Sequence, residues 1–180
     1  MLPTTYLNTR DVTAVALCAA YWAILNNSLA PIFWRLTRTP FLCDFLAFTT
    51  LILIGWWAGK FGIITLTGLL VTGLTFMLQP NAFQMFGFIV ASILFDVATR
   101  VVGYGNCFNK PLISALSLVS FSTMCGWIVG LVIGGIVMKL EPMLAIFTFS
   151  GLHAVGGLIG GVIGLILVNA LKARITIPKT

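Results

Sequence analysis

Six apolar stretches of helix length, approximately 12–30, 41–58, 61–78, 82–104, 111–138 and 143–170, fill nearly all of this chain. Only short polar breaks separate them. A hydrocarbon core about 30 Å thick needs roughly 17 to 25 apolar residues per helix. With 59% hydrophobic and 8% charged residues, the chain has too little polar surface to close a water-soluble globule. The runs are apolar all round and do not alternate at period two, which excludes a membrane β-barrel. The pattern predicts an all-α polytopic membrane protein, with residues 1–180 forming a single domain of six transmembrane helices in one bundle. No stretch is left for a nucleotide-binding fold, so any ATP-driven step needs a partner chain.

Ten basic residues against four acidic ones give a net charge of +6. They are scattered at the helix ends, as topology signals are, and do not form the patch that nucleic acid requires. An even number of spans puts both termini on one side. That side carries Arg10, Lys60, Arg100, Lys110, Lys172, Arg174 and Lys179; the other carries Arg35, Arg38 and Lys139. Seven against three predicts a multi-pass cell-membrane protein with N-in/C-in topology. The first apolar run ends in Asn26, Asn27 and Pro31 and does not read as a cleaved signal.

Chemistry is sparsely represented. Cys18, Cys43, Cys107 and Cys125 form no CxxC pair, and one histidine with four acids does not make a metal centre. There is no HExxH, GxGxxG, GxSxG or Walker loop. The expectation is a non-enzyme with no catalytic residues, no metal and no cofactor. Asp96 and Arg100, four residues apart, share a helix face and can pair; a proton relay is the sharper reading of Asp96. An intramembrane enzyme built on Asp96 or His153 is the most distant class.

Small residues recur at helical spacing. Ala16 and Ala20, then Ala19 and Ala23, line the first helix, as internal packing or as a docking face. Gly126, Gly130 and Gly134 on the fifth span, and Gly156, Gly160 and Gly164 on the sixth, predict a tight antiparallel pair. Gly157 and Gly161 add a second stripe.

Residues 26–40 read as a polar interruption punctuated by Pro31 and Pro40, with Trp34, Arg35 and Arg38 between them. This loop either anchors at the headgroups or closes over a ligand and presents Arg to an anionic group. His153 lies near mid-bilayer, where an imidazole should face the bundle interior, as a satisfied structural group or as a ligand contact. Asp44 is either an ion-pair partner of Arg35 and Arg38 or a binding-site carboxylate. Gln79, Asn81, Gln84, Glu141 and Trp34 would surround an opening with His153 deeper inside.

The six short-looped spans, the stripe Ala16, Ala20, Ala23 and the final helix SGLHAVGGLIGGVIGLILVNAL with its basic tail resemble the substrate-binding S component of an energy-coupling-factor (ECF) transporter. The resemblance implies capture of a small organic, vitamin-like substrate from outside. It also implies a gating loop at residues 31–40, and docking of Ala16, Ala20 and Ala23 on a transmembrane coupling subunit driven by ATPases. Metal-specific members carry an N-terminal histidine-bearing motif, which MLPTTY lacks. The candidate substrate-binding residues are Trp34, Arg38, Asp44, Asn81, Gln84, Trp127 and His153, with Phe83 and Phe86 as further stacking groups. The competing class is a non-catalytic structural or accessory subunit of a larger membrane complex.

Overall fold

A computed structural model describes residues 6–174; Lys179 lies outside the described residues. The described chain is helical, with no strand: α1 (Thr9–Thr37), α2 (Phe41–Ala58), α3 (Ile63–Leu78), α4 (Met85–Val102), the short α5 (Tyr104–Asn109), α6 (Pro111–Leu131) and α7 (Met143–Arg174). A π-helical turn, Val132–Val137, prolongs α6. Five of these helices are long and apolar enough to cross a membrane, and α3, with 16 residues, is a shorter apolar helix. Large apolar side chains such as Leu17, Ile24, Met77, Leu116 and Ile166 point outward. A continuous apolar exterior of this kind is what lipid covers.

One helix boundary and the geometry of one helix end differ from the sequence expectation. Residues 26–37 are not a loop: α1 continues through Pro31 and stops at Arg38, which is left-handed (φ 56°) and donates its N–H to the Trp34 carbonyl. Pro31 removes one backbone donor without ending the helix, a tolerance common in membrane helices. The second difference is the π turn at the end of α6. There Met138 N–H bonds the Ile133 carbonyl at 2.7 Å, five residues back.

The α2–α3 turn needs Gly59 and Gly62, both at positive φ (59° and 88°). Around it, at the hairpin end of the bundle, the start of α1 is tied down. Asp11 caps Asn8 N–H at 3.1 Å and pairs with Lys60 at 2.7 Å, while Arg10 stacks 4.4 Å over Trp57. Lys60 also donates to the Tyr6 carbonyl.

Helix α7 packs between α2 and α6, and its two glycine stripes are divided between them. Successive residues on a helix are about 100° apart, so 156/160/164 and 157/161 face different neighbours. A Cβ at Gly156 would lie 2.8 Å from Asp44 Cβ, and one at Gly160 3.0 Å from the Phe45 carbonyl, both on α2. A Cβ at Gly157 would overlap the Ser122 carbonyl of α6, and one at Gly130 would overlap Ser150 Cα. The close α6–α7 pair is therefore present, but its α7 face is Ser150, Ala154, Gly157 and Gly161. The stripe 156/160/164 belongs to α2.

Overpacking such contacts costs about 1–3 kcal/mol for even a small addition. Gly157→Leu is expected to lower the thermal midpoint of the detergent-purified protein by several degrees or to abolish folding. Gly73→Ala, where nothing lies within 4 Å of the new Cβ, should leave the midpoint unchanged. Equal effects of the two substitutions would refute the packing assignment.

Candidate functional site

At the end opposite the α2–α3 turn, the C-terminal half of α1, the start of α2, the 79–84 turn, α4, the π turn and α7 enclose a cavity of about 380 Å³. Its wall is mainly apolar and aromatic, with Trp34, Phe88, Phe149 and Ile133, and its polar lining comes from Asn26, Gln79, Gln84 and His153. A few placed polar groups in an apolar wall are the usual make-up of a small-molecule site.

His153 is the most buried of the polar residues that line the cavity. It sits ten residues into α7, about 15 Å from that helix's start, and is 2% exposed. Phe149, one turn earlier on α7, meets the imidazole edge-on with centroids 4.7 Å apart, and Trp34 meets Phe149 in the same manner at 6.5 Å. Behind the ring, Asp44 of α2 is fully buried, and its Oδ2 lies 2.8 Å from His153 Nδ1. That is ion-pair distance, although the two groups are not aligned as a hydrogen bond. Gly156 is what allows the carboxylate in, since a Cβ there would come within 3.0 Å of Asp44 Oδ2. Gly126 likewise lets α6 approach the His153 carbonyl.

Several polar atoms at this end lack partners. His153 Nε2, Asp44 Oδ1, Asn26 Oδ1 and Asn27 Oδ1 are buried without a hydrogen bond. Asn27 Nδ2 is engaged, donating to the Ala23 carbonyl at 2.7 Å. Unsatisfied buried groups are costly and uncommon, so their gathering beside one cavity marks a place where something else completes the bonding.

Asp96 shows the opposite condition. Its carboxylate accepts from Gly62 N–H (2.9 Å), Thr65 N–H (3.1 Å), Thr65 Oγ1 (2.9 Å) and the Tyr104 hydroxyl. It caps α3 from a neighbouring helix and joins the α2–α3 turn to α5. Burial, then this carboxylate, pushes the Tyr104 phenol up from its ordinary value, keeping it a donor. The expected pairing with Arg100 is absent: Arg100 is exposed, and the donors of the turn occupy the carboxylate instead.

Of the substrate-binding candidates, Trp34, Gln84 and His153 line the cavity and Asp44 supports it from behind. Asp44 meets His153 and not Arg35 or Arg38. Arg38 is exposed, because α1 continues as a helix and carries it past the opening. Asn81 is exposed in the 79–84 turn, and Glu141 is exposed too. Trp127 faces outward, 38% exposed and stacked on Phe147, because the neighbouring Gly126 faces α7. Phe83 and Phe86 cluster with Phe76 outside the cavity. On α1, Ala16 is exposed, Ala20 half-buried and Ala23 only 1% exposed. Ala23 therefore packs inside the bundle and is closed to a partner, leaving Ala16 and Ala20 as the accessible part of the stripe.

Sequence reasoning missed Asn26, Cys43, Phe88, Phe149 and the π turn. Phe149 was findable, being four residues before His153 on the same helical face. The π turn had no such signal.

Cys43 lines the cavity, whereas Cys107 and Cys125 are buried in the bundle. In a Cys18→Ala background, a small maleimide is expected to modify Cys43 and to spare the other two, read by intact mass and peptide mapping. Preferential modification of Cys107 or Cys125 would contradict the cavity. Asp96→Ala, which leaves the α3 donors orphaned, should cost about 1–3 kcal/mol, read as a lowered thermal midpoint with faster hydrogen exchange at Gly62 and Thr65.

No protein-family model, curated protein or solved structure matches this chain, so the chemistry of the cavity rests on its own side chains.

Proposed function

We propose that the chain is a membrane-embedded substrate-binding subunit of an uptake system, of the energy-coupling-factor type that its sequence resembles. It captures a small organic, vitamin-like compound from outside for import driven by a transmembrane coupling subunit and ATPases. The observation that carries the binding role is the cavity of about 380 Å³, with buried, unpartnered polar atoms of Asn26 and His153 at its wall. An accessory subunit whose polar groups were merely structural would have them satisfied, as Asp96 is.

In this reading the five long helices and the shorter α3 all cross the membrane, with α3 spanning a locally thin or adjusted bilayer. Arg35, Arg38 and Lys139 belong to the cavity end, and most basic residues belong to the hairpin end. The positive-inside rule then places the termini in the cytoplasm and the cavity mouth outside. Trp34 and Phe149 offer aromatic surface to a ring, and Gln79, Gln84 and Asn26 supply the polar contacts. Ala16 and Ala20 offer the partner a close helix approach.

Native mass spectrometry of protein purified gently from its own membranes is expected to show a retained molecule of a few hundred daltons. Trp34→Ala and His153→Ala should each weaken its binding by tenfold or more, about 1.4 kcal/mol or greater, with the helical content unchanged. Absence of any ligand, together with a stoichiometric membrane partner other than a coupling subunit and ATPases, would overturn the proposal in favour of an accessory role.

A further inference from the structure

One functional group dominates the polar lining of the cavity. Asn26 of α1 and Gln79 and Gln84 of the 79–84 turn are all carboxamides; the other polar groups on the wall are His153, Cys43 and the Trp34 indole. What they select follows from their chemistry, an argument that rests on the reading of this cavity as a ligand site. The backbones carrying the two glutamines are held. The Gln79 carbonyl accepts from Ala82 N–H and the Gln84 carbonyl from Gly87 N–H, each at 3.1 Å. Their side chains are not. Among the described residues, none of the three amides bonds another protein group, whereas the adjacent Asn27 gives its Nδ2 to Ala23 and Thr75. Asn26 is the most constrained of the three, being 7% exposed with its Oδ1 buried and unpartnered.

A carboxamide holds a donor and an acceptor side by side in one plane. Turning it over exchanges the two ends and leaves the pattern unchanged, and the terminal torsion is soft enough to allow this. A lone carbonyl on a ligand bonds the amide N–H and leaves the oxygen bare; a lone N–H does the reverse. Bare buried polar groups are costly. An N–H beside a carbonyl or a ring nitrogen satisfies both ends together, in either orientation of the side chain. The match is independent of where the proton of His153 sits and of charge elsewhere on the compound.

We infer that the compound taken in this cavity is a flat heterocycle with an amide-type edge, an N–H beside a carbonyl or ring nitrogen, which pairs with Asn26. Gln79 and Gln84 serve the remaining polar atoms, and Trp34, Phe88 and Phe149 cover the ring. Asn26, Ala30 and Trp34 are spaced by four on α1, so the amide and the indole share one face of that helix.

The test is calorimetric titration of the full chain in lipid nanodiscs with two matched pairs of probes. Pyridine-3-carboxamide is set against 3-acetylpyridine, and quinazolin-4-one against 4-methylquinazoline. Each pair keeps the ring and its size, and the second member lacks the amide edge. In at least one pair the amide is expected to bind tenfold or more tightly than its counterpart. A smaller preference in both pairs, or no binding by either amide, overturns the inference. Asn26→Leu, close in size, is expected to abolish the preference while the counterpart still binds within threefold. Gln84→Leu, at a half-buried turn position, tests the same edge if the first variant does not fold, and should reduce the preference at least threefold. A preference that survives in both variants removes the assignment to these side chains. A copurified compound without such an edge keeps the binding function and refutes this inference. Amide-selective binding by a protein without coupling partners refutes the uptake reading and keeps this one.

Discussion

The bundle is organised around close backbone approach along α7. In lipid, apolar side chains gain little by turning from acyl chains to one another, so helices associate through dense van der Waals contact where side chains are small. Helix α7 supplies this on two faces at once. Gly156, Gly160 and Gly164 admit α2, while Gly157 and Gly161 meet Ser122 and Val119 of α6. The site depends directly on this packing: Gly156 makes room for the Asp44 carboxylate, and Gly126 brings α6 against the His153 backbone. Without these glycines, the histidine and the aspartate that flank the cavity floor could not come together.

The two ends of the bundle treat their polar groups differently. At the hairpin end Asp11, Lys60, Asp96 and Tyr104 are all engaged, and together they tie the chain's first turn, the α2–α3 turn and α5 to the bundle. At the cavity end Asn26, Asn27, Asp44 and His153 keep buried polar atoms without partners. Low polarity raises the cost of each unmade bond, so the contrast separates an end whose polar groups are satisfied from one whose polar groups are not. The π turn adds to the second. Its wider spacing of backbone bonds brings Ile133, Val137 and Met138 to the cavity wall, and such turns are frequently found at functional sites.

Legibility from sequence followed the range of the interaction concerned. The helix-length apolar runs and the small-residue stripes are local or periodic, and the structure has them close to where the sequence puts them. Of the candidate binding residues, His153, Trp34 and Gln84 line the cavity. Asn81, Arg38 and Trp127 were candidates too but face outward. Their direction depends on helix rotation and on α1 running on past Pro31, which tertiary packing decides. Asp96 was paired with Arg100 on spacing, yet a neighbouring turn supplied better donors.

The sequence by itself determined that this chain is helical and apolar on its exterior, because hydropathy and run length are properties of single segments. It also determined which residues are small enough for helices to touch. Only the tertiary structure decided which stripe meets which helix, that Asp44 stands behind His153, and that the polar groups of one end are satisfied while those of the other are not. Those outcomes depend on the rotation and register of helices far apart in the chain, and many alternative packings share the same periodicity.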